Sequence, residues 1–345
     1  MAASKKILIN DMPGLYAVAT VTLGGEPYYA AASEQKNGLV AVVNCATDEV
    51  HWIEGGKGGV MGIMNSVKED RLLSIEEFYP GFDAPHSRIV EIALENRDGK
   101  WCTASRKELA EVPYLHRLAV IKESDGWYLA AGKLTTGKDF TDDWSRGGTL
   151  EMLAYDGEQV TGRETVHEGL FKHHAMLTER RPEGDILYFG GTEGTYSAVR
   201  ENGEWKITRL LDVPTSEIVF EDLDGDGERE LAIVEQFHGD KLTIFKKWGE
   251  GEFERALEYP LKLGHVLWGG MFAGKMSLVS GSREGLRELT IRTFTTDADG
   301  RMTLASETTV EEGGGPSQVS VRDLGSGGEI LVSNYALAQL AKFTF

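Results

Sequence analysis

The sequence predicts an all-β chain, a single seven-bladed β-propeller, and three observations predict it. Short apolar-alternating runs follow one another from end to end, with no sustained helical period. Two sets of recurring segments mark units of about fifty residues. The last unit is one strand short, while a spare strand stands at the N-terminus.

The turns come first. "NRDGKW", "AYDGEQ", "RENGEW", "KWGEGEF" and "DADGRM" place Gly99, Gly157, Gly203, Gly251 and Gly300 in equivalent surroundings, 46 to 58 residues apart. Asp-Gly and Asn-Gly between alternating runs read as hairpin turns, because both central residues need positive φ. The unit starts form the second series. "PGLYAVA", "GGVMGIM", "LHRLAVI", "KHHAMLT", "TSEIVFE", "GHVLWGG" and "PSQVSVR" each lead from a small residue or histidine into an apolar strand. Aligned on Gly14, Gly59, His116, His173, Ser216, His265 and Ser317, they recur every 43 to 57 residues, which suits four-stranded blades. The seventh unit supplies only three strands before Phe345, and residues 5–11 can supply the fourth, removing an exposed edge. A β-solenoid, the main competitor, would not leave one strand short and one spare. No linker stands out, so residues 1–345 read as one domain.

Composition narrows the function. The net charge of −19 opposes binding to nucleic acid or an anionic membrane, both of which need a basic surface, and it favours cationic partners such as divalent metals. No apolar run reaches the ~18 residues of a membrane span, and "MAASKKILIND" lacks the apolar core of a secretory signal. Cys45 and Cys102 lie apart in strand-like runs and read as buried thiols. A cytoplasmic protein is expected.

Chemistry concentrates in two places. In "DLDGDGERE", Asp222, Asp224, Asp226 and Glu230 offer carboxylates at alternating positions, Gly227 allows the sharp turn, and Glu228 adds a carbonyl. Ca²⁺ takes about six to eight such oxygens in a flexible cage. It is not an EF-hand, because Ile233 stands where that loop needs its glutamate. The loop resembles the D-x-D-x-D-G-x-x-[DE]-[LI] loop of FG-GAP or VCBS-type propellers, closely over residues 216–245 and as an echo at Asp323 and Glu329. The resemblance implies a structural Ca²⁺ between the first two strands of a blade. An empty carboxylate-rich turn and a catalytic metal are the alternatives. Among such propellers the resemblance also points to carbohydrate lyases and dehydratases, of the rhamnose–glucuronate lyase-like and aldos-2-ulose dehydratase-like kinds.

Histidines supply the second place. By analogy with propellers, loops entering first strands share a face with loops joining second and third strands. His116, His173, His174, His265, His86 and His238 are expected there, six of the eight in the chain. "SIEEFY" and "AIVEQFH" align Glu76 with Glu235, Glu77 with Gln236 and Tyr79 with His238. His116, His173 and His265, with Glu235 or Gln236, are the candidate ligands of a second ion, Zn²⁺, Mn²⁺ or Fe²⁺. His173, His174, His238, Tyr79 and Lys133 are candidates for proton transfer. Glu77, His86, Trp144, Arg146 and Arg283 are candidate contacts to a small sugar or oligosaccharide. "TDDW" within the long loop "GKLTTGKDFTDDWSRGG" has the composition to cap a short helix.

Three functions fit these groups. One is a metal-assisted carbohydrate lyase working by β-elimination, or an isomerase or dehydratase. The second is a noncatalytic propeller that binds a protein or glycan. The third is a metal-dependent lactonase or other hydrolase. Histidines packed into the propeller wall are the structural alternative for each single residue.

Overall fold

A computed structural model of the chain describes residues 3–247 and 251–345. Among them are seven four-stranded antiparallel sheets, the blades of an all-β, seven-bladed β-propeller, and one short 3-10 turn. No helix among the described residues is long and apolar enough to cross a membrane. The chain opens with β1 (Ser4–Ile9), which belongs to the last sheet. It divides into two compact units, Met12–Asp212 and Met1–Asp11 with Val213–Phe345.

The Met12–Asp212 unit holds four blades. Blade one is β2 (Leu15–Leu23), β3 (Glu26–Ser33), β4 (Val40–Asn44) and β5 (Val50–Ile53), and blade two is β6 (Gly62–Asn65), β7 (Arg71–Glu76), β8 (Arg88–Arg97) and β9 (Lys100–Glu111). Blade three is β10 (Leu115–Glu123), β11 (Gly126–Lys133), β12 (Gly148–Tyr155) and β13 (Val160–Leu170). Blade four is β14 (Ala175–Glu179), β15 (Ile186–Gly191), β16 (Gly194–Glu201) and β17 (Glu204–Leu211). First strands of neighbouring blades lie against each other, β2 on β6 and β10 on β14. The core sits between blades: Ile121, Ala130 and Met152 of blade three pack with Leu187, Phe189 and Ala198 of blade four. Each of the larger side chains contributes about 1.5–3 kcal/mol on burial, and Phe189→Ala would cost about 3–5 kcal/mol.

The other unit holds blade five, β18 (Thr215–Glu221), β19 (Glu230–Glu235), β20 (Lys241–Lys247) and β21 (Phe253–Pro260), and blade six, β22 (Gly264–Phe272), β23 (Lys275–Ser282), β24 (Leu289–Thr296) and β25 (Met302–Glu311). Blade seven is β26 (Pro316–Asp323), β27 (Gly328–Asn334), β28 (Gln339–Thr344) and the N-terminal β1, in the order β1-β28-β27-β26. Lys5 pairs with Phe343 and Ile7 with Ala341 in register. Lys5 also forms an ion pair with Glu311. The lysines of β1 keep this outer strand from recruiting another sheet.

Two of the turns are the tight hairpins that their glycines imply. Asp98-Gly99 and Asn202-Gly203 have positive φ at both residues and join strands without a spacer. Two others are longer than their sequences suggest. Residues 156–159 and 297–301 are loops closed by an aspartate side chain: Asp156 Oδ1 accepts from Glu158 and Gln159 N–H groups, and Asp297 Oδ1 accepts from Asp299 and Arg301. An Asx side chain that satisfies two backbone donors closes the wider loop. Residues 248–250 of the "KWGEGEF" turn lie outside the described residues.

Candidate functional site

In the Met12–Asp212 unit, the entries to first strands gather His116 and His174. Their rings tilt against each other with centroids 4.5 Å apart, and Phe78 stands edge-on to His116 at 5.3 Å. Arg117 Nε donates to the His174 carbonyl at 2.6 Å, and a terminal guanidinium nitrogen lies 3.2 Å from His174 Nδ1. A guanidinium only donates, so His174 Nδ1 accepts and Nε2 carries the imidazole proton. His173 is completely buried. Its Nδ1 meets the Thr149 carbonyl at 3.4 Å, and burial pulls its pKa down to about 4. That side chain is a neutral part of the blade wall.

Most of the other predicted groups in this unit are engaged by neighbours. Lys133 donates to Glu151 at 3.4 Å, and Glu151 also accepts from Arg163 Nε at 2.7 Å. Glu77 is held between Lys57 Nζ at 2.6 Å and Arg88 Nε at 2.7 Å. Burial, with Glu77 and Glu76 beside it, pushes the Tyr79 hydroxyl above its ordinary range, so it is a poor base near neutrality. Arg146 pairs with Asp139 at 2.6 Å, and His86 stands exposed 3.6 Å from Glu111. Trp144 is packed, with Lys138 Nζ 3.5 Å from its ring centroid, Lys172 at 5.3 Å and Phe82 edge-on at 5.1 Å. No helix forms at "TDDW". Asp143 instead accepts from Asp139 N–H and Ser145 N–H, both at 3.0 Å, and from Ser145 Oγ at 2.6 Å. A carboxylate satisfied by both flanks of a loop braces an irregular path, so no helical turn is needed.

In the other unit, His265 and His238 come together with ring centroids 5.0 Å apart, and Phe237 stacks on His238 at 4.0 Å. His265 Nδ1 lies 2.7 Å from the Ser317 carbonyl. A carbonyl only accepts, so Nδ1 carries the proton and Nε2 the lone pair. Glu235 does not join this pair as a ligand. It lies with Thr243 and Arg255 of the outer strands of its own blade, and Arg255 contacts both of its oxygens. Burial raises its pKa, but the Arg255 and Thr243 hydrogen bonds outweigh that and hold it low. Gln236 is exposed. It shares a left-handed backbone with Glu77, φ 65° against 59°, and each N–H donates back across the blade entry, to Pro214 and Gly58. The alignment of the two second strands therefore marks one bend built twice. Arg283 stacks over Tyr335 at 4.0 Å.

The aspartate loop, residues 222–229, joins β18 to β19, between first and second strands as expected. Asp222, Asp224 and Asp226 each bring an oxygen within 4.8 Å of the others. Lys246, from β20, reaches into the loop: its Nζ lies 2.7 Å from Asp224, 2.8 Å from Asp226 and 2.9 Å from Glu230. Glu228, expected to add its carbonyl, donates its N–H to Asp226 Oδ1 at 2.9 Å.

Lys246, Arg117 and Arg255 were missed by sequence reasoning, because nothing in a strand's local pattern says which distant carboxylate or carbonyl it meets. Four exposed apolar residues were missed as well: Leu39, Phe140, Leu286 and Leu337. Each lies on a loop between the second and third strands of its blade. For Leu39, Phe140 and Leu286 the signal was available, as a large apolar residue inside a loop otherwise rich in turn formers and charges.

The fold and these loops define a propeller of the seven-bladed class. No family model and no curated protein matches the chain. Among solved structures, it is similar to BBS1N, solved in complex with ARL6DN and soaked with mercury. The TM-score is 0.57 at 12% identity, covering 100% of this chain and 96% of that one. At such identity the likeness is one of fold.

Proposed function

We propose that this chain is a noncatalytic binding propeller that holds a protein partner on the loops joining second and third strands. One observation carries the reading. Nine large apolar side chains are exposed among the described residues, and four of them, Leu39, Phe140, Leu286 and Leu337, stand on those loops. Phe140 and Leu286 are 67% and 66% exposed, so packing within their own blades does not cover them. Within each unit such loops also carry residues of the kinds that anchor interfaces: Arg283 over Tyr335 in one, and Trp144, covered by Lys138, in the other. Three of the residues expected in a lyase site, Glu235, Lys133 and Glu77, are meanwhile paired internally. The fold relative solved in complex with ARL6DN adds a propeller caught with a partner.

The test compares affinity-purified wild-type protein with Leu286→Asp, Phe140→Asp and Leu304→Asp, the last on outer strand β25. Specific partners, identified by mass spectrometry and reconstituted from purified proteins, should be lost with the loop variants and kept with Leu304→Asp. Unchanged binding in the loop variants, or elimination products released from uronate oligosaccharides by the wild type, would sink the reading.

A second reading rests on His265. Its Ser317 hydrogen bond selects the tautomer whose Nε2 carries the lone pair, as a Zn²⁺, Mn²⁺ or Fe²⁺ ligand requires. Metal analysis of wild type against His265→Ala decides it, with a stoichiometric ion lost in the variant as the expected result.

A further inference from the structure

We infer that Lys246 is the resident cation of the loop 222–230, taking the position that a divalent ion holds in loops of this carboxylate spacing. An ammonium has three donors, and three carboxylates meet this one, from Asp224, Asp226 and Glu230. The remaining oxygens are mostly spent on the loop's own backbone. Asp222 Oδ1 accepts from Gly225 N–H at 2.8 Å and Oδ2 from Gly227 N–H at 3.0 Å. Glu230 Oε2 accepts from Leu223 N–H at 2.8 Å. One buried oxygen, Asp224 Oδ1, has no hydrogen bond. With one unspent carboxylate oxygen, backbone carbonyls and water would have to supply nearly all of the six to eight, roughly, that Ca²⁺ gathers.

The donor set therefore does not fit Ca²⁺ while Lys246 is in place. An ammonium and a divalent ion cannot share these oxygens, since like charges a few ångströms apart repel strongly away from water. Lys246 and Glu230 are both completely enclosed, as is the Asp224 side chain, so water does little to screen them. The lysine is also covalently delivered. It comes from β20, the third strand of the blade, and the loop lies between the first and second strands. The clip therefore ties three consecutive strands of blade five, as a metal would, without depending on calcium supply. Burial works against the charge on Lys246, yet the three carboxylates hold its pKa above the usual lysine range. The clip does not open by deprotonation near neutral pH.

The experiment measures thermal unfolding of the full chain in EGTA and in millimolar calcium, for the wild type and for Lys246→Met, which keeps an unbranched side chain one atom shorter and removes the charge. Calcium binding to the wild type is followed in parallel by calorimetry. The wild type should melt at one temperature in both buffers and show no saturable calcium binding. Lys246→Met should melt lower in EGTA, by on the order of 5 °C or more, because three carboxylates lose their partner. A wild-type Tm that rises saturably with calcium and falls in EGTA overturns the inference. So does a Lys246→Met protein as stable in EGTA as its parent. If Lys246→Met fails to fold, Asp226→Asn replaces it, because Asp226 is partly exposed and removes one contact of three. The wild-type calcium measurements decide the matter even then.

Discussion

Within the Met12–Asp212 unit, the Tyr155 hydroxyl donates to the Glu91 carboxylate at 2.6 Å, joining the third strand of blade three to the third strand of blade two. Glu91 is buried, and Ser66 Oγ at 3.0 Å and Arg71 at 2.6 Å complete its coordination. Burial and the bond to Glu91 together push the Tyr155 pKa far above its ordinary value, so it stays a donor. Hydrogen bonds to charged groups contribute about 1.5–3 kcal/mol when buried. Tyr155→Phe should therefore lose roughly 1–2 kcal/mol, because Ser66 and Arg71 still serve the carboxylate. Urea unfolding measures this, and a Phe variant as stable as the wild type would show that the blades do not rely on this bond.

His173 predicts an acid-side instability. Burial holds its folded pKa at about 4, below the unfolded value of 6.5. As pH falls from 6.5 towards 4, the unfolded chain takes up a proton that the folded chain refuses. Stability from this residue is therefore lost on acidification across that window. Nitrogen NMR of the imidazole should show His173 still neutral at pH 5. Titration near 6.5 would place it in contact with solvent and refute the wall assignment.

Glu123 predicts the opposite slope. Burial, then Asp185 and Asp125, raise its folded pKa from 4.5 to about 7, against the pull of Arg200. Its Oε1 is buried without a hydrogen bond. Here the folded state keeps a proton that the unfolded state releases, so stability falls as pH rises from 4.5 to 7. Between pH 4.5 and 6.5 the two residues offset each other. Glu123→Gln should unmask the His173 slope and gain on the order of 1 kcal/mol at pH 7.5. Thermal melts across pH read it directly, and an unchanged pH profile would remove Glu123 from the account.

The contrast between Glu235 and Gln236 shows what the sequence could and could not reveal. Aligning two second strands located the bend, because backbone requirements repeat from blade to blade and leave a local trace. The partner of Glu235 left no such trace. Arg255 reaches it from two strands away, past a register shift between Ile244 and Phe245 that breaks simple strand counting. Lys246 escaped for the same reason, since β20 is buried on both faces over most of its length and alternation does not say which way a lysine points. Blade starts were readable because every first strand needs the same entry. Side-chain pairing across strands depends on bulges, and a bulge has no fixed spelling.

Asp143 links loop order to binding. Hydrogen bonds from Ser145 and Asp139 hold its pKa down at about 2, so the brace is complete above about pH 4 and is lost only as pH falls through 2. The segment it braces, residues 139–145, contains the exposed Phe140 and the packed Trp144. Asp143→Ala removes three hydrogen bonds from one loop and touches no blade strand, so the global melting temperature should move by no more than a degree or two. Amide hydrogen exchange at residues 136–147 should speed up by tenfold or more, because local opening no longer breaks those bonds. If the loop is the docking surface proposed above, partner affinity falls as well, since a mobile Phe140 must be ordered at the moment of binding. Unchanged exchange in Asp143→Ala would show that the Trp144–Lys138 stack alone fixes the loop. Faster exchange with undiminished affinity would move the binding surface elsewhere.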